Sequence, residues 1–310
     1  MVRVRLGRSE LMVSPICYGT WQLSPKFWGE QPREVMIAAA RRAFELGVNF
    51  FDTADAYGDG LAEEVLGEAL KPLPRDQIVV ATKVYHHFYP DGRRHPDLSA
   101  GYIEQACGAS LARLQMHYID LYQCHSFDPL SDLEETTAAL ERLKRMRKIR
   151  AYGVSNFTVE QLRAARRFGG YATLQPRYNL LQSQAEADLL PYCRSEDVGV
   201  LVYSPLYHGL LTGKYAGTEI FDDLRSSRAD FQGERFRELA TRVRALAPIA
   251  AKYSLSIVQL VLVVTLMNPM IHSAIVGIKN PEQIAEAADA MGRTVSREDY
   301  FAVRSALGSA

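Results

Sequence analysis

Four residues in the first half of the chain have the types needed for acid catalysis on a carbonyl: Asp52, Tyr57, Lys83 and His125. A phenol is a weak acid, with an ordinary pKa of about 10. A buried ammonium beside it lowers that value by favouring the phenolate. Such an ammonium is itself costly unless a carboxylate pairs with it. Asp52 is therefore expected to hold Lys83, Lys83 to lower the pKa of Tyr57, and His125 to position a carbonyl oxygen, with Tyr57 as general acid. A carbonyl protonated on oxygen needs a nucleophile on carbon. No side chain in the sequence looks like an activated nucleophile, so a nicotinamide hydride is the natural donor. Asp55, between Asp52 and Tyr57, reads as turn chemistry.

Such a set works only if the fold gathers it. Short apolar or β-branched runs alternate with longer amphipathic segments along the chain. The runs are Ser14–Gly19, Val48–Asp52, Gln77–Lys83, Tyr118–His125, Ile149–Asn156, Tyr171–Asn179, Val198–Pro205 and His272–Asn280. Helix punctuation lies between them. Thr158 and Gln161 form a capping box, Ser99 precedes a helical stretch through Leu111 and Leu114, and Gly47 follows an Arg33–Leu46 helix as a C′ glycine. Strands alternating with helices predict an α/β fold, a (β/α)8 TIM barrel with extra helices at the C-terminus, as a single domain over residues 1–310. Near-continuous apolar runs suit a parallel sheet covered on both faces. Val2, Val4 and Leu6, a Gly7-Arg8-Ser9 turn and Leu11–Val13 predict a short N-terminal β-hairpin that plugs the barrel. Asp52, Lys83, His125, Ser155, Asn156, Gln175, Tyr203 and Ser204 all fall at or just past C-terminal strand ends, which converge on one face of this architecture.

Composition narrows the class. Lysine plus arginine (36) equals aspartate plus glutamate (36), so no net field favours nucleic acid or an anionic membrane. Cys17, Cys107, Cys124 and Cys193 form no C-x-x-C pair and read as reduced, buried thiols. MVRVRLGRSE has no apolar core of a signal peptide, and Ser256–Met270, broken by Asn268 and Pro269, is too short to span a membrane. A cytoplasmic protein with no membrane or nucleic-acid partner is expected. His86, His87 and His95 lack a carboxylate or cysteine partner at ligand spacing and read as surface loop histidines, so no metal is expected.

The blocks FFDTADAYG, VVATK, RLQMHYIDLYQCH, IRAYGVSNF, LQPRYNLL, LVYSPLYHGLLTGKY and AIVGIKNPEQI occur in an order that resembles the aldo-keto reductase superfamily across essentially the whole chain. The flavour is similar to the bacterial branch related to potassium-channel β subunits and to general-stress and inositol-locus reductases. The resemblance implies a TIM barrel that binds NADPH without a Rossmann fold and reduces an aldehyde or ketone reversibly. It gives the catalytic roles to Asp52, Tyr57, Lys83 and His125. It places Ser155, Asn156 and Gln175 around the carboxamide, with Tyr203 stacked on the nicotinamide. Ser204, Leu206, Gly209, Leu211, Thr212, Gly213 and Lys214 fall on the pyrophosphate loop. Gly277, Lys279, Asn280 and Gln283 fall at the adenosine end, with Arg228 as a further cation. Lys279 facing a 2′-phosphate favours NADP(H) over NAD(H). The implied partner is a small carbonyl or alcohol, and a homo-oligomer is compatible with the resemblance.

Candidate pocket walls are Trp21, Phe27 and Trp28, then Tyr85, His86, His87, Phe88 and Tyr89, then Ser126 and Phe127. Aromatic walls with a few polar groups suit sugars, aromatic aldehydes or ketones. The chain departs from the family's common pattern at Ser126, where a bulky residue often follows the tetrad histidine, at Ala287 after Glu286, and at Tyr207-His208. Two rival readings keep the same residues. One is a weakly catalytic, nucleotide-sensing subunit on this scaffold. The other is a metal-dependent barrel lyase or hydrolase using Asp52, Asp55 and His125, which leaves the cofactor-type motifs unexplained.

Overall fold

The computed structural model describes residues 2–89 and 91–308. Eight parallel strands close into a barrel: β1 (Ile16–Gly19), β2 (Phe50–Asp52), β3 (Val79–Val84), β4 (Ile119–Cys124), β5 (Ile149–Ser155), β6 (Thr173–Gln175), β7 (Gly199–Tyr203) and β8 (Ser273–Gly277). Each pairs with its neighbour in sequence, and β8 returns to β1. All the expected runs form strands, but several are shorter than their apolar extent. The Tyr171–Asn179 run keeps only Thr173–Gln175 in the barrel. Beyond Gln175 the regular ladder is interrupted at Pro176, which has no N–H to donate, and continues only as a single bridge between Arg177 and Tyr203. The polar residues thereby lie on the turns that form the mouth.

Period-two alternation explains why the polar ends point inward. Phe50, Ala81, Leu121, Ala151 and Leu201 fill the barrel interior. Counting two residues on along the same face reaches Asp52 from Phe50, Lys83 from Ala81 and Tyr203 from Leu201. Counting four reaches His125 from Leu121 and Ser155 from Ala151. The apolar lumen and the polar mouth are one continuous inward face.

The N-terminal hairpin pairs Val4–Arg5 with Met12–Val13. Leu6, Leu11 and Val13 are buried among the same lumen residues, so the hairpin does plug the far end. Gly7 turns there with φ +49°, and a Cβ on it would lie 2.4 Å from the Gly199 nitrogen, so a side chain would push the plug off the barrel. The helical cues also hold. Thr158 and Gln161 make a reciprocal capping box ahead of Val159–Ala165. Arg33–Glu45 and Ala100–Leu114 are helices, and Gly47 adopts φ +88° just past the first. The Ser256–Met270 run yields a shorter helix, Ile257–Leu266, capped by Ser256 and Gln259. Its residues from Leu260 to Thr265 are buried. Among the described residues no single helix is long and apolar enough to cross a membrane.

A second hairpin was not anticipated. His86–Phe88 pairs antiparallel with Arg94–Pro96 directly after β3. It stands over the barrel mouth, with the His86 and His125 rings 6.5 Å apart.

Candidate active site

Asp52, Tyr57, Lys83 and His125 come together at the mouth. The Lys83 ammonium is fully buried and donates to Asp52 Oδ1 at 2.6 Å, to the Thr53 carbonyl at 2.8 Å and to the Tyr57 hydroxyl at 3.3 Å. Gln175 Nε2 donates to the other oxygen of Asp52 at 2.9 Å. Both carboxylate oxygens are thus satisfied, as a buried ion requires. The His125 ring meets the Tyr57 ring edge-on at 5.8 Å, and its Nδ1 is buried without a hydrogen-bond partner among the described residues.

The electrostatics assign protonation states. Burial works against the Lys83 charge, but Asp52 and Tyr57 outweigh it and lift its pKa above the usual lysine value. Burial raises the Asp52 carboxyl despite the opposing pull of Lys83. Burial, with Lys83 and His86 adding to it, holds the His125 imidazole well below its usual range, so the ring is neutral at pH 7. Tyr57 corrects the sequence expectation. Lys83 does favour its phenolate, but burial is the larger effect and the hydroxyl is raised above the ordinary phenol value. Tyr57 therefore keeps its proton throughout the neutral range.

Asp55 lies in the turn after β2, but it is buried there, and its Oδ1 has no hydrogen-bond partner among the described residues. Burial and the nearby Glu63 raise its carboxyl well above the usual range. Glu63 itself is held by Arg113 at 2.6 Å and by the Thr82 hydroxyl at 2.6 Å. A raised folded-state pKa means that the folded chain binds a proton which the unfolded chain releases above about pH 4. Stability from this site therefore falls as pH rises past that value. Asn mimics the protonated acid, so Asp55→Asn is expected to match wild type below about pH 4 and to be at least as stable at neutral pH. It should also keep most of the turnover. Melting curves across pH check this; a lower Tm at pH 7 than wild type would refute it.

The neighbouring strand ends extend the network. Ser155 Oγ donates to the Gln175 carbonyl at 2.8 Å. Asn156 Nδ2 donates to the His125 carbonyl at 2.9 Å, and Tyr203 donates its hydroxyl proton to Asn156 Oδ1 at 2.8 Å. Asn156 and Ser204 both take positive φ, +57° and +63°, unusual for residues other than glycine and common where a site dictates the backbone. The Ser204 hydroxyl is buried without a hydrogen-bond partner among the described residues.

Beyond Ser204, Leu206 precedes tight turns over Tyr207–Thr212, in which Gly209 has φ +88°; Gly213 follows with φ +77°. Leu211 is buried beneath them. Tyr207 turns inward and donates its hydroxyl to Asp230 at 2.7 Å. His208 packs against Trp21 and Trp28, and burial with the nearby arginines lowers it to about 3. Lys214 and Lys279 have lowered pKa values, each from burial and from the Arg225 charge. Arg225, which no sequence motif marks, joins Asp223 at 2.5 Å and lies over Phe221. Arg228 Nε is buried without a hydrogen-bond partner among the described residues. A chain of zero net charge thus gathers cations at one rim, which favours an anion there.

Trp28 meets Trp21 edge-on at 5.4 Å and also reaches that rim, with Lys279 Nζ 5.0 Å and Arg225 5.8 Å from its ring. Asn280 and Gln283 are occupied at a helix start: Asn280 Oδ1 accepts from the Gln283 amide and Gln283 Oε1 from the Lys279 amide, each at 2.9 Å. A Cβ at Gly277 would lie 2.0 Å from Gln22 Nε2, so the end of that side chain packs where a larger residue would displace it. Of the other proposed wall residues, Trp21 packs on Phe27, while Phe127 meets Phe157 edge-on. Tyr85 stands beside Ser126 and points its hydroxyl at the Phe127 carbonyl. A separate cavity of about 350 Å³ lies behind the second hairpin, lined by Asp55, Asp59, Phe88, Arg94 and Arg113 but by none of the four catalytic candidates.

The histidine expectation also changes. His87 and His95 lie opposite each other on the second hairpin, and Asp97 supplies the carboxylate that the sequence spacing did not suggest. His87 Nδ1 is 2.9 Å from Asp97 Oδ2.

Residues 15–307 match the profile of the Aldo/keto reductase family. The chain is 36% identical over 298 residues to "Aldo-keto reductase YhdN" of Bacillus subtilis, covering 95% of this chain and 90% of that protein. It is 32% identical over 318 residues to the "NADH-specific methylglyoxal reductase" of Escherichia coli, covering 98% of each. Among solved structures, glycerol dehydrogenase AKR11B4 from Gluconobacter oxydans superposes with a TM-score of 0.91 at 31% identity, over 99% of this chain and 95% of that one.

Proposed function

Because the chain belongs to the aldo/keto reductase family, we propose that it reduces an aldehyde or ketone to the alcohol, reversibly, with NADP(H) and with Tyr57 as the general acid. The observation that carries this reading is the Lys83 ammonium shared between Asp52 and Tyr57 at the barrel mouth. A bound nicotinamide dinucleotide would supply the hydride. Partnerless buried groups and cations on this chain fit such a ligand. Ser155, Asn156 and Gln175 would hold the carboxamide, and the Tyr203 ring would support the nicotinamide face. The turns from Ser204 through Leu206, Gly209, Leu211, Thr212 and Gly213 to Lys214 would follow the pyrophosphate. Arg225, Arg228 and Lys279 add positive charge near it.

The substrate carbonyl would approach Tyr57 with its oxygen between the phenol and the neutral His125 ring. As negative charge develops on that oxygen, Tyr57 gives up its proton and Lys83 stabilises the phenolate left behind. Asp52 keeps Lys83 in place and charged. Tyr57 is partly exposed, so the phenolate can regain its proton from solvent. Trp21, Tyr85 and Phe127 offer apolar walls, with Ser126 as a polar point, which suits compact or aromatic carbonyl compounds.

Cofactor choice gives a direct test. Lys279 is partly desolvated and has no carboxylate within salt-bridge distance among the described residues. A charge-assisted bond to a 2′-phosphate contributes about 1.5–3 kcal/mol. Lys279→Ala is therefore expected to weaken NADPH binding about ten-fold or more and to leave NADH binding near wild type. Fluorescence titrations with both cofactors measure this. Equal losses for the two, or a wild-type preference for NADH like that named for the Escherichia coli relative, would overturn the NADP(H) assignment. Turnover against aromatic aldehydes, keto-sugars and 2-oxo acids would then rank the substrate classes.

A further inference from the structure

We propose that the hairpin after β3 binds one divalent transition-metal ion through His87, His95 and Asp97, and that this ion clasps the hairpin over the catalytic mouth. The ligand-capable atoms of the three residues lie within 4.8 Å of one another. Metal–ligand bonds of about 2.0–2.1 Å at tetrahedral angles place ligand atoms about 3.3 Å apart. The His87 and His95 rings stack at 4.9 Å and 19°, so the His95 ring has to turn out of that stack to aim a nitrogen at an ion shared with His87 and Asp97, and water completes the coordination. Two imidazoles and a carboxylate favour zinc, cobalt, nickel or copper over the harder calcium and magnesium.

The backbone prepares this arrangement. His87 and His95 are direct cross-strand partners, so their side chains leave the same face of the ribbon. Asp97 is fixed just beyond: its amide donates to the Tyr85 carbonyl at 2.8 Å, and its Oδ1 accepts from the Ser99 amide at 2.9 Å. That leaves Oδ2 facing His87. The His87 ring is stacked on Tyr102 at 4.4 Å and on Tyr89 at 5.0 Å, which restrains its orientation before any ion arrives. The Tyr102 hydroxyl also donates to the His86 carbonyl, tying the hairpin to the helix Ala100–Leu114.

Nearby cations do not oppose an ion strongly, because each has its own carboxylate. Arg94 pairs with Asp59 at 2.7 Å and Arg93 with Asp91 at 2.6 Å. Alternation along the strand separates the two faces. The His86 ring approaches the catalytic His125, whereas His87 and Tyr89 stack together on the opposite side. An ion on the outer face would thus tie the hairpin strands together without entering the catalytic pocket.

The test is a calorimetric titration of the tag-free, chelator-treated protein with Zn²⁺ alone, repeated with Co²⁺ followed by absorption. One equivalent should bind, and the cobalt spectrum should show nitrogen and oxygen ligands without thiolate bands, since all four cysteines are buried. His95→Ala and Asp97→Asn should each weaken binding by about ten-fold or more. His117→Ala, at an exposed histidine elsewhere, should leave it unchanged. Zn²⁺ should raise the Tm of the wild type and not that of His95→Ala. Metal-free melting curves establish that each variant folds; if His95→Ala does not, His95→Gln replaces it. Zinc affinity equal in the wild type and in the folded His95 and Asp97 variants would overturn the site, as would binding that depends on His117.

Discussion

Tyr57→Phe is expected to lower kcat for carbonyl reduction by about 10²–10⁴, the range for a positioned general acid, with cofactor binding near wild type. The substitution keeps the ring, and with it the edge-on packing against His125 and the cation–ring contact with Lys83 at 4.9 Å. It removes only the transferable proton. The direction of the pKa shifts sets the pH dependence. Tyr57 lies above the ordinary phenol value, chiefly through burial, and His125 lies below the ordinary imidazole value for the same reason. Between about pH 6.5 and about pH 10 neither group changes state. Reduction should therefore be flat with respect to these two groups over that window and decline only above it, as Tyr57 loses its proton. Alcohol oxidation needs the phenolate and should rise with pH across the same range. Tyr57→Phe should abolish both alkaline dependences. Pre-steady-state kinetics in each direction would measure them. A variant that keeps most of its reductase activity, or a wild-type reduction limb near pH 8 that vanishes in Tyr57→Phe, would refute this assignment.

The barrel was legible because its signal is repeated. Eight apolar runs with polar ends give the same message, and one misplaced boundary does not change it. Asp52, Lys83 and His125 were legible because each lies at or just past a strand end, where alternation decides which way the side chain points; Tyr57 lies in the turn beyond β2 and was read from its residue type and its short offset from that strand end. What the sequence hid depends on distances between segments. The pKa of Tyr57 follows from a competition between burial and Lys83, and only coordinates show which effect is larger. Asp55 looks like a loop acid in isolation and becomes buried only when the helix bearing Glu63 packs beside it. Arg225 sits in a segment of short turns without periodicity, so nothing local marks it. The second hairpin has three-residue strands, too short for an alternation pattern to register. Its Asp-Gly turn at Asp91-Gly92 was the available cue.

The Asp52–Lys83 pair carries the largest expected effect on stability. Lys83 is wholly buried and Asp52 nearly so, and their contact of 2.6 Å is supported by Thr53 and Gln175. Removing one partner leaves the other ion without compensation in the barrel. Lys83→Met and Asp52→Asn should each cost about 3–5 kcal/mol of folding stability. The double variant should cost clearly less than the sum, because no uncompensated ion remains. The singles differ in pH response. Asp52 and Tyr57 raise Lys83 above the unfolded lysine value, so the stability that this shift contributes is full below that value and is lost as pH rises through the folded one. In Asp52→Asn that contribution shrinks, and the unfolding midpoint should fall less steeply above about pH 10 than in the wild type. Turnover separates the catalytic role from the structural one. In Asp52→Asn the ammonium still reaches Tyr57 but is no longer anchored, so kcat should drop with the ring and hydroxyl intact. In Lys83→Met the phenolate loses the cation beside it, and kcat should drop further. Denaturant titrations and single-turnover rates on the three variants decide the matter. Additive stability losses, or wild-type turnover in Lys83→Met, would show that the buried pair is neither coupled in folding nor used in the proton transfer.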